Sequence, residues 1–294
     1  MDRASSPVRA WIRLLRPWHW LKNGFVLTGL LFGHAYHEPA MVWAALGATL
    51  AFCFAASAVY AFNDCMDRDH DRAHPDKRQR PVASGEIAPR AALGASAGLA
   101  AAGLLLAAAV AIPVAAIVAA YLAQNVAYSM GLKRVPVLDV FLIASGFMLR
   151  VLAGTAGIGI EPSRWLLACV FLLTLFLGFG KRRAERSRLA EVAATHRAVL
   201  GRYGARFLDR AILICATAML VTYALYTIAD STVALHGTTR LVLTLPFVLL
   251  GTMRYLYLLH YRGSGGDPVD ALLRDPLLAA SACGWLGTVI WLIA

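Results

Sequence analysis

Charge is what this sequence has least of. Only 15% of its 294 residues are Asp, Glu, Lys or Arg, while 59% are hydrophobic. A soluble globular chain is nearer a quarter charged and half apolar. The length alone would fit one or two soluble domains, but so few charges cannot clothe a soluble surface. The composition points to a bilayer, where long apolar stretches need no polar face. Cysteine is scarce too. Cys53, Cys65, Cys169, Cys215 and Cys283 lie far apart without C-x-x-C spacing, which argues against a zinc site or a disulfide framework and leaves them as small buried hydrophobes. No A-x-A-like site follows the basic, aromatic N-terminus, so no cleavable signal peptide is expected.

What is there in abundance is apolar sequence in membrane-length runs. At about 20 residues per span, nine helices are expected, at 20–36, 40–63, 90–110, 113–131, 137–157, 163–180, 207–229, 240–260 and 276–294. Pro113 marks a tight turn between the third and fourth. The net charge of +11 would suit a nucleic acid, but the bases follow the loops rather than one face. Lys22 and the arginines before it, Arg68 to Arg90, Lys133 and Arg134, Lys181 to Arg206, and Arg262 and Arg274 all fall on alternate loops. The intervening loops hold only Arg164 and Arg240. The positive-inside rule makes the first set cytoplasmic, with the N-terminus inside. Trp11, Trp18 and Trp20 read as an interfacial belt, and Leu14-Leu15-Arg16-Pro17 as a short amphipathic helix on the membrane surface.

Acidic residues are concentrated: six of the seventeen lie between positions 64 and 86. Asp64, Asp67 and Asp71 have the i, i+3, i+7 spacing of one helix face. Three carboxylates so placed repel one another unless a cation fills the gap, and Mg²⁺ takes carboxylate, water and phosphate oxygens. Asp69 points away as a solvated charge. The following stretch, His74-Pro75-Asp76-Lys77-Arg78-Gln79-Arg80-Pro81, supplies bases for the phosphate oxygens that the metal leaves. His70 and His74 read as solvated or hydrogen-bonded loop residues. A charged loop with only a topological role is the plainer alternative; the cost of acids at a membrane edge weighs against it.

At these residues the chain resembles the UbiA superfamily of intramembrane prenyltransferases, whose N-D-x-x-D-x-x-x-D pattern matches Asn63 to Asp71. Within it, the resemblance is to the decaprenyl-phosphate phosphoribosyltransferase branch. It rests on Leu15 to Asn23, Arg72 to Pro81, Tyr128 to Lys133, Gly180 to Glu185, Arg150 with Ala153-Gly154, and Asp267-Pro268 to Arg274-Asp275. The superfamily's prenyl-diphosphate users carry a second Asp-rich motif in the sixth loop. Here that loop reads Lys181-Arg182-Arg183-Ala184-Glu185-Arg186, one acid among four bases, which suits extra phosphates rather than a second Mg²⁺ cluster.

The resemblance implies an all-α polytopic bundle acting as a single intramembrane transferase domain over 1–294, with an interfacial segment at 1–19 and cytoplasmic loops at 64–90 and 181–206. It also implies Mg²⁺-dependent transfer of 5-phosphoribosyl from phosphoribosyl diphosphate to a polyprenyl phosphate, in the plasma (inner) membrane with the site on the cytoplasmic side. In that reading Asp64, Asp67 and Asp71 hold Mg²⁺, and Asn63 orients an acid or phosphate oxygen. Lys22, Lys77 and Arg80 contact phosphate oxygens. Tyr128 and Lys133 lie at the mouth of the fourth span. Lys181, Arg182 and Glu185 hold the lipid phosphate or the 5-phosphate. Arg150, inside an apolar span, is a substrate-binding candidate by its cost there, or else a structural partner of Asp139 or a snorkelling side chain. Gly94, Gly98 and Gly103 permit close helix packing. The rivals are an aromatic prenyltransferase, which predicts a second acidic loop, and a transporter for an anionic lipid or metabolite, which predicts internal repeats; neither feature is evident. The sequence admits a homo-oligomer and does not fix prenyl length.

Overall fold

The computed structural model describes residues 6–74, 77–191, 203–261 and 268–293, with side chains for all of these but 188–191. Pro75 and Asp76, Arg197 and Arg202, Arg262 and Asp267 lie outside the described residues. All regular structure among the described residues is helical, as expected. Met1–Pro162 and Ser163–Ala294 form two compact units.

Eight helices among the described residues are long and apolar enough to cross a bilayer: Pro39–Met66, Pro89–Val110, Ile112–Met130, Leu138–Ile158, Arg164–Ser187, Ala205–Ile228, Arg240–Tyr261 and Pro276–Ile293. They match eight of the nine expected stretches. The remaining one, 20–36, is not one helix. After α1 (Pro7–Leu15) comes a 3₁₀ segment, Pro17–Leu27, then a short α2 (Thr28–Phe32) and a second 3₁₀ turn, Ala35–His37. The cause is local. Arg16 adopts the left-handed conformation (φ 53°, ψ 56°) that ends α1, and Pro17 restarts the chain without an N–H to donate. A 3₁₀ helix rises about 2.0 Å per residue, so this segment covers more depth than an α-helix of equal length.

In the first unit α1 buries Ala10 and Leu14 against Ala61, Val82, Ile87 and Ala92, while Val8 and Ile12 stay exposed. The short helix expected at Leu14-Leu15-Arg16-Pro17 thus lies earlier in the chain, and Arg16 and Pro17 end it rather than belong to it. The core centres on α3 (Pro39–Met66), whose Ala45, Ala48, Ala51, Phe52 and Ala55 meet Val26, Ala107, Val114, Val118 and Tyr121. α4 (Arg68–Ala73) and α5 (Pro81–Ser84) form the connection to α6 (Pro89–Val110), and α7 (Ile112–Met130) follows after the single residue Ala111, so the turn is as tight as expected but Pro113 lies in the first turn of α7. Of the glycines expected to allow close packing, only Gly103 does so. A Cβ there would lie 3.1 Å from the Ala51 carbonyl oxygen, while nothing lies within 4 Å at Gly94 or Gly98. The tightest approach was not anticipated. At the end of α8 (Leu138–Ala153), a Cβ on Gly154 would sit 1.6 Å from the Val26 carbonyl oxygen. The 3₁₀ segment and α8 therefore touch backbone to backbone.

The second unit holds α9 (Arg164–Glu191), α10 (Ala205–Ile228), α11 (Asp230–His236), α12 (Leu245–Tyr261), α13 (Pro268–Arg274) and α14 (Pro276–Ile293). α9 runs past the expected end of its span, so residues 181–191 are helix rather than the start of a loop. The run is rich in Lys, Arg, Ala and Glu, which favour helix, and Arg182 Nη1 bonds Glu185 Oε2 at 2.7 Å one turn on.

Candidate active site

The acidic segment straddles the end of α3. Asp64 sits in its last turn, Asp67 at the cap and Asp71 in α4. Backbone bonds Asp67 N to Asn63 O and Asp71 N to Asp67 O, 2.9 and 2.8 Å, carry the helical repeat through the junction. Asp64 and Asp71 consequently share a face, and Asp69 is exposed on another, as expected. A carboxylate at a helix C-terminus meets the negative end of the dipole. Asp64 is also 1% exposed and Asp71 4%. Burial there requires cations close by.

The chain supplies them. Arg80 Nη1 donates to Asp71 Oδ2 at 2.8 Å and to Asp64 Oδ1 at 3.1 Å. Arg16 Nη2 donates to the same Asp64 oxygen at 2.7 Å. Asp67 pairs with Lys133, whose Nζ also lies 3.4 Å from Asn63 Oδ1. Asn63 Oδ1 accepts a further bond from Ser129 Oγ at 3.1 Å, which ties α3 to the end of α7. Arg16 is steadied by its position over the Tyr60 ring, 5.0 Å from the centroid. Around Arg80 in sequence, Arg72 Nε donates to Ala83 O at 3.0 Å, and Arg13 pairs with Glu86. Three acids thus interleave with three bases.

One atom of this set is left over. Asp64 Oδ2 is buried and accepts no hydrogen bond. An orphaned carboxylate oxygen on Asp64, with Asp71 sharing its Arg80 partner, is a hard-oxygen donor of the kind Mg²⁺ takes. Among the described residues no three His, Cys, Asp or Glu side chains already converge on a metal-sized gap; cations of the chain stand between them. The residues fit a metal site whose carboxylates are presently engaged by the protein's own bases.

Of the other expected site residues, Lys77 and Tyr128 are half-buried, Lys77 following His74 with its backbone N–H 3.4 Å from His74 Nδ1. Lys22 is half-buried on the 3₁₀ segment, next to the fully buried Asn23. Arg150 lies in a different cluster. It is 6% exposed, and each of its three guanidinium nitrogens is bonded to a group other than Asp139. Its Nε donates to Asn23 Oδ1 at 2.8 Å, Nη1 to Gly146 O at 2.9 Å and Nη2 to Tyr121 Oη at 3.0 Å. The rings of Phe52, Tyr121 and Phe147 surround its guanidinium carbon at 4.8–5.7 Å. In the second unit, Arg182 is 2% exposed and bound to Glu185, Lys181 is half-buried, and Arg183 Nε bonds Asp209 Oδ1 at 2.8 Å. Sequence reasoning assigned no site role to Arg16, Ser129, Asn23 or Tyr121. The available signal for Arg16 and Asn23 was their place in the Leu15 to Asn23 stretch, and for Arg16 the proline that follows, which bars it from the right-handed helix.

Comparison with known proteins gives the same direction. The model of the UbiA prenyltransferase family matches residues 24–270. A decaprenyl-phosphate phosphoribosyltransferase of Corynebacterium glutamicum is 34% identical over 288 residues, covering 95% of this chain and 85% of that protein. Its namesake from Mycolicibacterium smegmatis is 32% identical over 289 residues, covering 95% and 90%. A UbiA homolog from Archaeoglobus fulgidus, solved bound to DMAPP and Mg²⁺, is similar in fold with a TM-score of 0.72 at 20% identity, over 96% of this chain and 99% of that one. The chain is therefore a multi-pass membrane enzyme that transfers groups, and it belongs to the UbiA prenyltransferase family.

Proposed function

We propose that this enzyme transfers the 5-phosphoribosyl group of phosphoribosyl diphosphate to a polyprenyl phosphate and releases diphosphate, at the cytoplasmic face of the plasma membrane. The observation that carries the reading is similarity along 95% of the chain to proteins bearing the name of that reaction, joined to an acidic segment whose buried Asp64 Oδ2 lacks a partner. The bases at 181–186 add to it, since they leave no room for a second acidic motif and suit the phosphates that such a donor and acceptor bring.

In this reading Asp64, Asp67 and Asp71 hold Mg²⁺, which neutralises the departing diphosphate as a Lewis acid. Arg16, Arg80 and Lys133, already beside these acids, turn to the diphosphate oxygens, with Lys22 and Lys77 as further contacts. Asn63 orients Lys133 through the oxygen it shares with Ser129. The bond from ribose C1 to the diphosphate oxygen breaks with its electron pair on the diphosphate. C1 gains oxocarbenium character, and an oxygen of the lipid phosphate forms the new bond to it. The lipid phosphate is already an anion, so no general base is needed. Rate comes from positioning and from fixed charge. Tyr128 contacts phosphate or ribose, and Lys181, Arg182 and Glu185 serve a phosphate of donor or acceptor.

The test uses purified full-length protein with Mg²⁺, ribose-labelled phosphoribosyl diphosphate and a polyprenyl phosphate. Label is expected in the lipid phase. Label that stays aqueous sinks the reading, and prenyl transfer from a prenyl diphosphate to an aromatic acid would establish the rival.

A further inference from the structure

In the structure each carboxylate of the acidic segment already has a cation from the chain. Arg16 and Arg80 share Asp64 Oδ1, Arg80 extends to Asp71, and Lys133 holds Asp67. We propose that Arg16, together with Arg80 and Lys133, is an exchangeable counter-ion that makes divalent-cation binding conditional on diphosphate. Without ligand these bases occupy the carboxylates. A diphosphate draws them onto its own oxygens and frees the acids for the metal. The inference rests on the reading of this segment as a metal–diphosphate site.

Three features carry it. First, the bonds are placed for transfer rather than for permanence. Arg80 divides one nitrogen between two carboxylates at 2.8 and 3.1 Å instead of laying its fork on one of them, the stronger arrangement. Second, the side chains of Arg16 and Arg80 are 15% and 24% exposed, whereas that of their partner Asp64 is 1%; in the Lys133–Asp67 pair the order is the reverse, 11% and 25%. Arg16 and Arg80 lie on the side a soluble anion reaches, with Asp64 behind them. Third, Arg16 is a non-glycine residue held at φ 53°, a conformation that costs free energy and persists where the surroundings require it. It fixes the guanidinium between Asp64 and the Tyr60 ring.

Charge balance gives the direction. Three acids and three bases cancel. A divalent cation arriving alone must displace a base from its carboxylate with no anion to meet it. A diphosphate arriving alone must compete with the carboxylates. Together they supply partners for both sets, so each tightens the other by the same factor.

The test is Mn²⁺ binding to the full-length protein in lipid nanodiscs, read by electron paramagnetic resonance with and without inorganic diphosphate. Wild type is expected to bind Mn²⁺ weakly alone and about tenfold more tightly with diphosphate, within the usual span of coupled sites. Arg16→Gln is expected to bind Mn²⁺ alone about fivefold more tightly than wild type and to lose most of the coupling. Lys133→Gln, acting through Asp67, is expected to shift the same way and stands in if Arg16→Gln does not fold. A residue that merely supports the fold would weaken Mn²⁺ binding on removal, not tighten it. Binding that depends on Asp64 but is no tighter in either variant overturns the exchange. Binding that Asp64→Asn leaves intact overturns the metal-site reading beneath it.

Discussion

Arg80 is the residue on which the site turns, because it joins Asp64 to Asp71 across the break between α3 and α4. Arg80→Gln would leave Asp71 without its cation and Asp64 with Arg16 alone. Losing one partner of a buried pair costs about 3–5 kcal/mol, and water reaching the quarter-exposed Arg80 reduces this to about 1–3 kcal/mol. The thermal midpoint of the detergent-solubilised protein is expected to fall, and turnover to drop about a hundredfold through lost charge stabilisation. Arg90→Gln, at an exposed residue opening α6, is expected to change neither. Equal behaviour of the two variants would remove Arg80 from the cluster. At this scale the acids were legible in the sequence and their partners only in part. A spacing of three and four places Asp64 and Asp71 on one face wherever helical bonding persists. It does not reveal that Arg16, 48 positions away, donates to the first of them. Arg150 illustrates the same limit. Its cost in an apolar span marked it out, but its partners Asn23 and Tyr121 lie 127 and 29 positions off, and tertiary packing alone chose them over Asp139.

Among the elements, the 3₁₀ segment is the one the sequence misreported. Hydrophobicity registers that 20–36 is apolar; it is silent on which hydrogen-bond ladder the backbone uses. The choice is set from outside, by Arg16 and Pro17 at one end and by the backbone contact with Gly154 at the other. The segment in turn carries Lys22 and Asn23, and Asn23 fixes Arg150. Gly154→Ala is expected to force the segment and α8 apart, since the new methyl would lie 1.6 Å from Val26 O. Destabilisation of about 3 kcal/mol, at the upper end for overpacking, should appear as a lower thermal midpoint and poor recovery from the membrane. Gly98→Ala, with nothing within 4 Å, is expected to be neutral or slightly stabilising through helix propensity. A Gly154→Ala protein as stable as Gly98→Ala would mean that the contact does not hold. The eight long helices, by contrast, were legible nearly to their ends. α9 overran its expected limit furthest, to Glu191 rather than 180, because Lys, Arg, Ala and Glu extend a helix as readily as they line a loop.

For the whole molecule, the loop charges and the acidic segment point to the same face. Bases gather on alternate connections, and Asp64, Asp67 and Asp71 lie on one of these. A phosphorylated sugar donor cannot cross a bilayer, whereas a polyprenyl phosphate is already in it. Under the proposed function the chemistry would belong where a soluble anion meets the membrane surface, with the prenyl chain on the acceptor. The most direct measurement follows a doubly labelled phosphoribosyl diphosphate, carbon label in the ribose and ³²P at the β-phosphate, added outside sealed membrane vesicles containing the enzyme, Mg²⁺ and polyprenyl phosphate. In inside-out vesicles the ribose label should enter the lipid phase while the ³²P remains in water as diphosphate, and right-side-out vesicles should show neither transfer. Ribose label confined to water, ³²P travelling into the lipid with it, or equal transfer in both vesicle orientations would contradict a cytoplasmic phosphoribosyl transfer that releases diphosphate at Asp64, Asp67 and Asp71.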